Sequence, residues 1–229
     1  MCNVDNFRMA IQLVNQKDVT DKRIIDVGAY DVNGSLRAIF EKYNPEEYVG
    51  VDMQQGPGVD VVCNAEDIVK RFGENSFDYV VSANMLEHVM DWKTIISNMK
   101  KILRPGGCIF IATPSKPFPY HEYPYDFWRY ETSDFEEIFS DFISVETRVG
   151  DDSSFLPHSL SYIVARKPEN FQEKDLSDYQ LYSIVTGKRH LEIDKEIMTR
   201  TKKLKRRKGF ITFCKKCTPR FVKNFVHGI

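Results

Sequence analysis

The stretch Arg23–Gly34, RIIDVGAYDVNG, sets a short apolar run against a turn. Ile24, Ile25 and Val27 read as a buried strand, and Gly28 closes it. A nucleotide-binding turn usually continues Gly-x-Gly, because each glycine lets the backbone approach the ligand. Here Ala29, Tyr30 and Asp31 follow Gly28, and the next glycine is Gly34. The stretch is therefore either a cofactor turn of longer design or a strand that ends in an ordinary turn.

The flanking sequence favours repetition of a strand–helix unit. Upstream, Val4, Phe7, Ile11 and Val14 fall at helical spacing and predict a helix capping the domain. Downstream, Gly34–Tyr43 reads as a helix ending before Pro45. EYVGVD, GVDVVCN, FDYVVSA and CIFIATP read as the second to fifth strands. EDIVKRF and Asp91–Leu103 read as helices between them, the latter stopped by RPGG. TSDFEEIF follows as a helix with Thr132 or Ser133 as its cap. FISVETRVG and LSYIVARKP read as a closing antiparallel pair. The alternation predicts an α/β fold with a mostly parallel sheet and helices on both faces. The core domain is expected to span 1–167, with an extension over 168–229.

The 229 residues suffice for one large domain with an extension. No segment has the ~18–20 apolar residues of a membrane span, and the first residues lack the apolar core of a secretion signal. The five cysteines, Cys2, Cys63, Cys108, Cys214 and Cys217, are odd in number and scattered, which predicts reduced thiols in a cytoplasmic protein. The net charge of −1 conceals a division: Met1–Thr186 carries 18 Lys+Arg against 30 Asp+Glu, and Gly187–Ile229 carries 14 against 3. An acidic body thus precedes a basic tail. The tail reads as a helix to Lys208, then a Phe-faced helix beginning at Thr218-Pro219. Docking on the body, a homodimer contact or a membrane surface at the inner leaflet would suit it, docking or dimer contact best; nucleic acid would not be expected from a basic tail alone. Cys214 and Cys217 form a lone C-x-x-C, short of the four ligands of structural zinc. No other cluster of metal ligands is evident, so no metal is expected.

In an open α/β sheet, ligands bind beyond the carboxyl ends of the strands. Those ends carry Asp26 and Gly28, then Asp52, Asn64-Ala65-Glu66, the run SANMLEHV, and Thr113-Pro114. Asp52 lies 26 residues past Asp26 and is placed to accept both hydroxyls of a ribose.

The strings DVG, GVD, NAEDI, FDYVVSANMLEHV and LRPGG together resemble a class I S-adenosylmethionine-dependent methyltransferase over roughly Arg23–Lys167. DVNGS, YVGVDMQQGPGVDVV and HEYPYDFWRYE resemble a bacterial subgroup associated with surface-polysaccharide (capsule or lipopolysaccharide) or natural-product pathways. The resemblance implies a Rossmann-like fold and S-adenosylmethionine as cofactor, with S-adenosylhomocysteine as product. It implies that Asp26 meets the cofactor's amino group, Gly28 gives backbone access, and Gly34 closes the longer turn. It implies Asp52 on the ribose, Met53 against the adenine, Asn64 and the Ala65 N–H at the adenine edge, and the backbone near Asn84 at the methionyl end. His88 would lie near the reacting centre.

Methyl transfer asks the protein to align the reactants, exclude water and accept a proton if the nucleophile is a hydroxyl. His121 and His88 are the candidates for that base, His121 slightly ahead. The Pro114–Arg129 loop is expected to hold a small acceptor, sugar- or nucleotide-linked and phosphate-bearing, through Tyr120, Glu122, Tyr123, Tyr125, Trp128 and Arg129. The alternative is that Trp128 fills the core and Arg129 pairs with Asp126 or Glu131. The rival functions are a nicotinamide dehydrogenase, which would want G-x-G-x-x-G; a nucleic-acid methyltransferase; and a non-catalytic cofactor-binding module. Gly187–Ile229 is expected to be dispensable for cofactor binding.

Overall fold

The computed structural model describes residues 4–32, 34–121, 124–151 and 157–204. The chain opens with α1 (Val4–Leu13), which buries Met9 and Ala10. β1 (Arg23–Val27), α2 (Arg37–Glu41), β2 (Glu47–Asp52), β3 (Val61–Val62) and α3 (Ile68–Phe72) form the first half. β4 (Phe77–Ala83), α4 (Trp92–Ile102) and β5 (Leu103–Pro114) begin the second. β6 (Trp128–Arg129) lies apart from this sheet, α5 (Thr132–Ile138) follows, and β7 (Ile143–Val149) and β8 (Leu160–Arg166) return to it.

The strand order is β3-β2-β1-β4-β5-β8-β7. The first five pair in parallel; β8 runs antiparallel to β5, and β7 antiparallel to β8. The mostly parallel sheet with a closing antiparallel pair is as expected. Successive strand residues point to opposite faces. Ile25, Val80, Ile109 and Ile111 therefore pack with Trp92, Ile96 and Met99 of α4, while Ile24, Val81 and Phe110 pack with Met9 and Phe40 of α1 and α2. The winding reverses between β1 and β4, so the carboxyl ends of these two strands border the ligand crevice of such a sheet.

Three local expectations are corrected. α2 is shorter than Gly34–Tyr43: it begins only at Arg37, and ahead of it Asp31 Oδ1 accepts from the Gly34 N–H at 2.6 Å. α5 is capped by Glu131, not Thr132 or Ser133: its N–H donates to Asp134 Oδ2 at 2.8 Å. RPGG does end α4, but its four residues already belong to β5, across a register break between Phe77 and Tyr79.

The boundary expected at Lys167 does not separate two bodies. β9 (Leu181–Ser183) pairs antiparallel with β6, and β10 (Lys188–His190) with β9. Leu181 and Ile197 are fully buried in the same apolar cluster as Trp92, Trp128 and Phe135. Tyr179 Oη donates to Asp134 Oδ1 at 2.8 Å, and Arg189 Nη2 lies 2.8 Å from the same carboxylate. Residues 195–204 are helical. A cut before Leu181 would remove Leu181 and Ile197 from this core. The rest of the basic helices, with Cys214 and Cys217, lies outside the described residues.

Candidate functional site

A cleft at the carboxyl ends of β1 and β4 is lined by Asp26, Gly28, Ala29, Tyr30, Gly34, Ser35, Leu36 and Ala83. The backbone shapes it. The N–H groups of Gly28 and Ala29 both donate to Val51 O, at 2.9 and 3.0 Å, tying the turn to β2. Gly28 adopts φ +87, and a Cβ there would fall 2.5 Å from Met85 Cγ. Only glycine meets both demands. Gly56 is similarly tight, since a Cβ there would meet the Tyr30 ring at 2.1 Å. The long turn after β1 is thus packed against the loop after β2, which resolves the opening alternative in favour of a built turn.

Asp26 is buried and its Oδ2 accepts from Tyr48 Oη at 2.8 Å. Burial pushes its carboxyl up to about 6, with the Tyr48 bond and Arg37 opposing the rise. Asp52 ends β2 half-buried, its Oδ1 accepting from the Gln54 N–H at 2.9 Å. Met53 beside it is 67% exposed, an apolar face open to a flat ligand. Asn64 Oδ1 accepts from Glu66 N at 3.2 Å and so caps the short turn that carries Ala65. Asn84 takes φ +53 at the end of β4, and its N–H is engaged by Ala112 O at 2.8 Å. Of the cofactor-side residues expected from the sequence, Asp26, Gly28 and Gly34 line this cleft, while Asp52, Met53, Asn64, Ala65 and Asn84 sit at or just past neighbouring strand ends outside its lining. Their chemistry fits an adenosine-type cofactor: a half-buried carboxylate ending β2, an exposed apolar side chain next to it, and a buried acid in the cleft that a cationic amino group would neutralise.

The second half of the site is built from charge. Asp126 and Arg129 are both fully buried and paired through two contacts, 2.5 Å from Nη1 and 2.7 Å from Nη2. Arg129 also donates to the carbonyls of Phe118, Pro119 and Trp128, at 3.1, 3.1 and 2.8 Å, so the loop is wrapped around its guanidinium. Trp128 is buried too, its Nε1 donating to Val89 O at 3.0 Å. The acceptor contacts expected of Trp128 and Arg129 are corrected: one fills the core and the other is spent on Asp126. Tyr120 and Tyr125 remain half-buried on the loop. Glu122 and Tyr123 lie outside the described residues.

Asp126 Oδ2 also accepts from the His121 N–H at 2.8 Å and lies 3.2 Å from His121 Nδ1. His121 Nε2 in turn lies 3.6 Å from Glu87 Oε1, and so does His88 Nε2. The His88 Nδ1 is 2.5 Å from Tyr125 O, and Glu87 Oε2 accepts from Thr113 Oγ1 at 3.2 Å. The two imidazoles meet edge to face, with centroids 5.0 Å apart. The sequence reading saw no cluster of metal ligands; the structure brings three together here, their ligand atoms all within 4.8 Å of one another.

The charges in this cluster are mutually set. Burial works against a charge on His121, but its contacts with Asp126 and Glu87 outweigh that and raise it to about 9. Burial likewise opposes ionisation of Glu87, yet His88 and His121 hold its carboxyl below the usual range. Asp126 is held low against burial by Arg129 and His121. Glu87, Asp126 and Thr113 were not among the site residues expected. Glu87 stood inside LEHV, but only the fold turns a side chain of that run into a fully buried carboxylate.

A family profile described as a methyltransferase domain matches residues 6–147, well over half of the chain. Among curated relatives, a ubiquinone biosynthesis O-methyltransferase of Idiomarina loihiensis is 31% identical over 105 residues, 40% of this chain and 42% of that protein. One of Parvibaculum lavamentivorans is 33% identical over 70 residues, 31% of this chain and 27% of that protein. The chain thus spans less than half the length of these relatives. Among solved structures, a Burkholderia thailandensis 1,6-didemethyltoxoflavin-N1-methyltransferase superposes with a TM-score of 0.56 at 17% identity, covering 71% of this chain and 78% of that one. An S-adenosylmethionine-dependent methyltransferase of Mesorhizobium loti gives 0.55 at 14%, covering 72% and 99%. Both share the fold.

Proposed function

The chain belongs to the methyltransferase-domain family and is an S-adenosylmethionine-dependent enzyme of class I fold, and from that premise we propose that it moves a methyl group onto a hydroxyl oxygen of a small acceptor held at the loop after β5. When bound, the cofactor supplies a methyl group already activated on a cationic sulfur. The chain's own residues do the rest. Asp52 holds the ribose hydroxyls, Met53 covers the adenine face, and Asp26 in the cleft faces the amino end. Tyr120 and Tyr125 flank the acceptor and limit its access to water.

One observation carries this reading: the cofactor cleft and the cluster of Glu87, His88 and His121 are joined through Met85. Its side chain covers Gly28, and Glu87 follows two residues later. A hydroxyl loses its proton as it is methylated, and the cluster supplies the acceptor of that proton. His88 is better suited to the task than His121, which reverses the order expected from the sequence. Its contacts with Asp126 and Glu87 favour the protonated form of His121, which makes its Nε2 the poorer base of the two. His88 spends Nδ1 on Tyr125 O and keeps Nε2.

The two ubiquinone biosynthesis relatives are named O-methyltransferases, which supports oxygen as the nucleophile, and their names are not drawn from surface-polysaccharide pathways. The phosphate once expected on the acceptor loses its partner with Arg129 buried, so hydroxylated aromatic acceptors stand beside sugars. The test offers labelled S-adenosylmethionine with panels of phenols and sugar nucleotides, and identifies the methylated atom by mass spectrometry. An O-methyl product is expected, with single-turnover rate lowered ~10²–10⁴-fold in His88→Ala and cofactor affinity retained. An N-methyl product, or an undiminished rate in His88→Ala, would overturn the proposal.

A further inference from the structure

We infer that Glu87 Oε1, His88 Nε2 and His121 Nε2 form a binding site for one divalent transition-metal ion of the zinc type. The three atoms converge from two separate segments, the turn after β4 and the loop after β5. Glu87 Oε1 lies 3.6 Å from each imidazole nitrogen. With metal bonds of ~2.0–2.1 Å, a tetrahedral ion holds its ligands about 3.3–3.4 Å apart. The two Glu87 edges therefore need to contract by only a few tenths of an ångström, and the edge between the imidazole nitrogens, which lies within 4.8 Å, by up to about 1.4 Å.

Each ligand is also oriented by a partner behind it. His88 Nδ1 faces Tyr125 O at 2.5 Å, which leaves the lone pair on Nε2. His121 Nδ1 lies 3.2 Å from Asp126 Oδ2 without forming a hydrogen bond, and an ion would displace any proton from its Nε2. Thr113 Oγ1 donates to Glu87 Oε2, which leaves Oε1 facing the two rings. Carbonyl or carboxylate behind imidazole is the usual support of a metal ligand, since it fixes the tautomer and the ring. Asp126 is fixed in its turn by Arg129.

Glu87 adds an independent sign. Its side chain is fully buried, and Oε1 accepts no hydrogen bond. A buried carboxylate oxygen without a donor is costly unless a cation completes it. Two imidazoles and one carboxylate are a borderline-soft donor set, which suits zinc or its neighbours and disfavours magnesium and calcium. Three protein ligands leave a coordination position for an oxygen of a bound molecule. The bearing on catalysis rests on the proposed O-methylation: an ion held here would take the place of the His88 base and would supply Lewis-acid activation of the acceptor hydroxyl.

The experiment uses the full chain stripped by chelator and titrated with cobalt(II) alone, with visible absorption as the readout. It is run in a Cys214→Ser/Cys217→Ser background, so that the C-x-x-C thiols contribute nothing. One cobalt per chain with a low-symmetry nitrogen–oxygen spectrum is expected, displaced by zinc and not by magnesium. His121→Ala and His88→Ala should each weaken binding about 100-fold or more, and His190→Ala should not. If either variant loses its circular-dichroism signature, Glu87→Gln, which keeps the buried shape, gives the same reading. Failure to bind a stoichiometric ion, displacement by magnesium, or unchanged affinity in folded variants would overturn the site. Because neither cofactor nor acceptor is present, failure here leaves the methyl-transfer reading standing, and failure of methyl transfer leaves this site standing.

Discussion

The two halves of the carboxyl edge reach order by different routes. The cofactor half is a backbone construction: Gly28 and Ala29 hang from Val51 O, and Gly56 lets Tyr30 close on the next loop. The acceptor half is an electrostatic one, a chain of contacts from Arg129 through Asp126, His121 and Glu87 to His88. A backbone site tolerates changes of charge and fails when a side chain intrudes. A charge relay tolerates changes of shape at its rim and fails when one member is removed.

The contrast is easiest to break at Arg129. Arg129→Met leaves Asp126 buried without its cation, and loss of one partner of such a pair costs ~3–5 kcal/mol. Urea unfolding should show that loss, while the folded fraction keeps its cofactor affinity by calorimetry. Loss of cofactor binding in proportion would mean that the halves are not independent. Asp52→Ala is the converse. It should weaken cofactor binding by ~1.5–3 kcal/mol, because a charge-assisted acceptor of two hydroxyls is removed, and leave the unfolding midpoint unmoved.

The smallest effect concerns Asp26, whose carboxyl burial raises to about 6. A cationic amino group prefers the ionised form, so cofactor affinity should fall roughly fourfold between pH 7 and pH 5.5 and be flat above. Asp26→Asn should abolish that slope. The fold without ligand responds in the opposite sense. A carboxyl raised in the native state stabilises it most below 3.8, and that contribution is lost as pH rises through about 6. Calorimetry and urea titration across this range separate the two signs.

The same contrast explains what the sequence disclosed. Alternating strands and helices and the placing of Asp26, Gly28 and Asp52 at strand ends are local patterns, and they stood where expected. The acceptor half depends on pairings across long separations. Glu87 meets His121 only after β4 and β5 lie side by side, and no spacing in the chain announces that. Trp128 and Arg129 read as ligand contacts because aromatic and basic residues look alike on a surface and in a core; the deciding fact is the Asp126 carboxylate three residues away, buried with Arg129. The extension misled for a related reason. Its charge is concentrated late, and Leu181 and Ile197, which dock it, lie in short apolar stretches between charged and polar residues.

The pairing of β6 with β9 has a consequence for anyone exchanging parts between such proteins. The loop proposed to hold the acceptor is not encoded in one contiguous cassette. Trp128 and Arg129 are hydrogen-bonded along an edge supplied by Tyr182 and Ser183, more than fifty positions later. A graft of residues 115–130 alone would deliver a ribbon without its neighbour; the transplantable unit is discontinuous and must carry 176–190 with it.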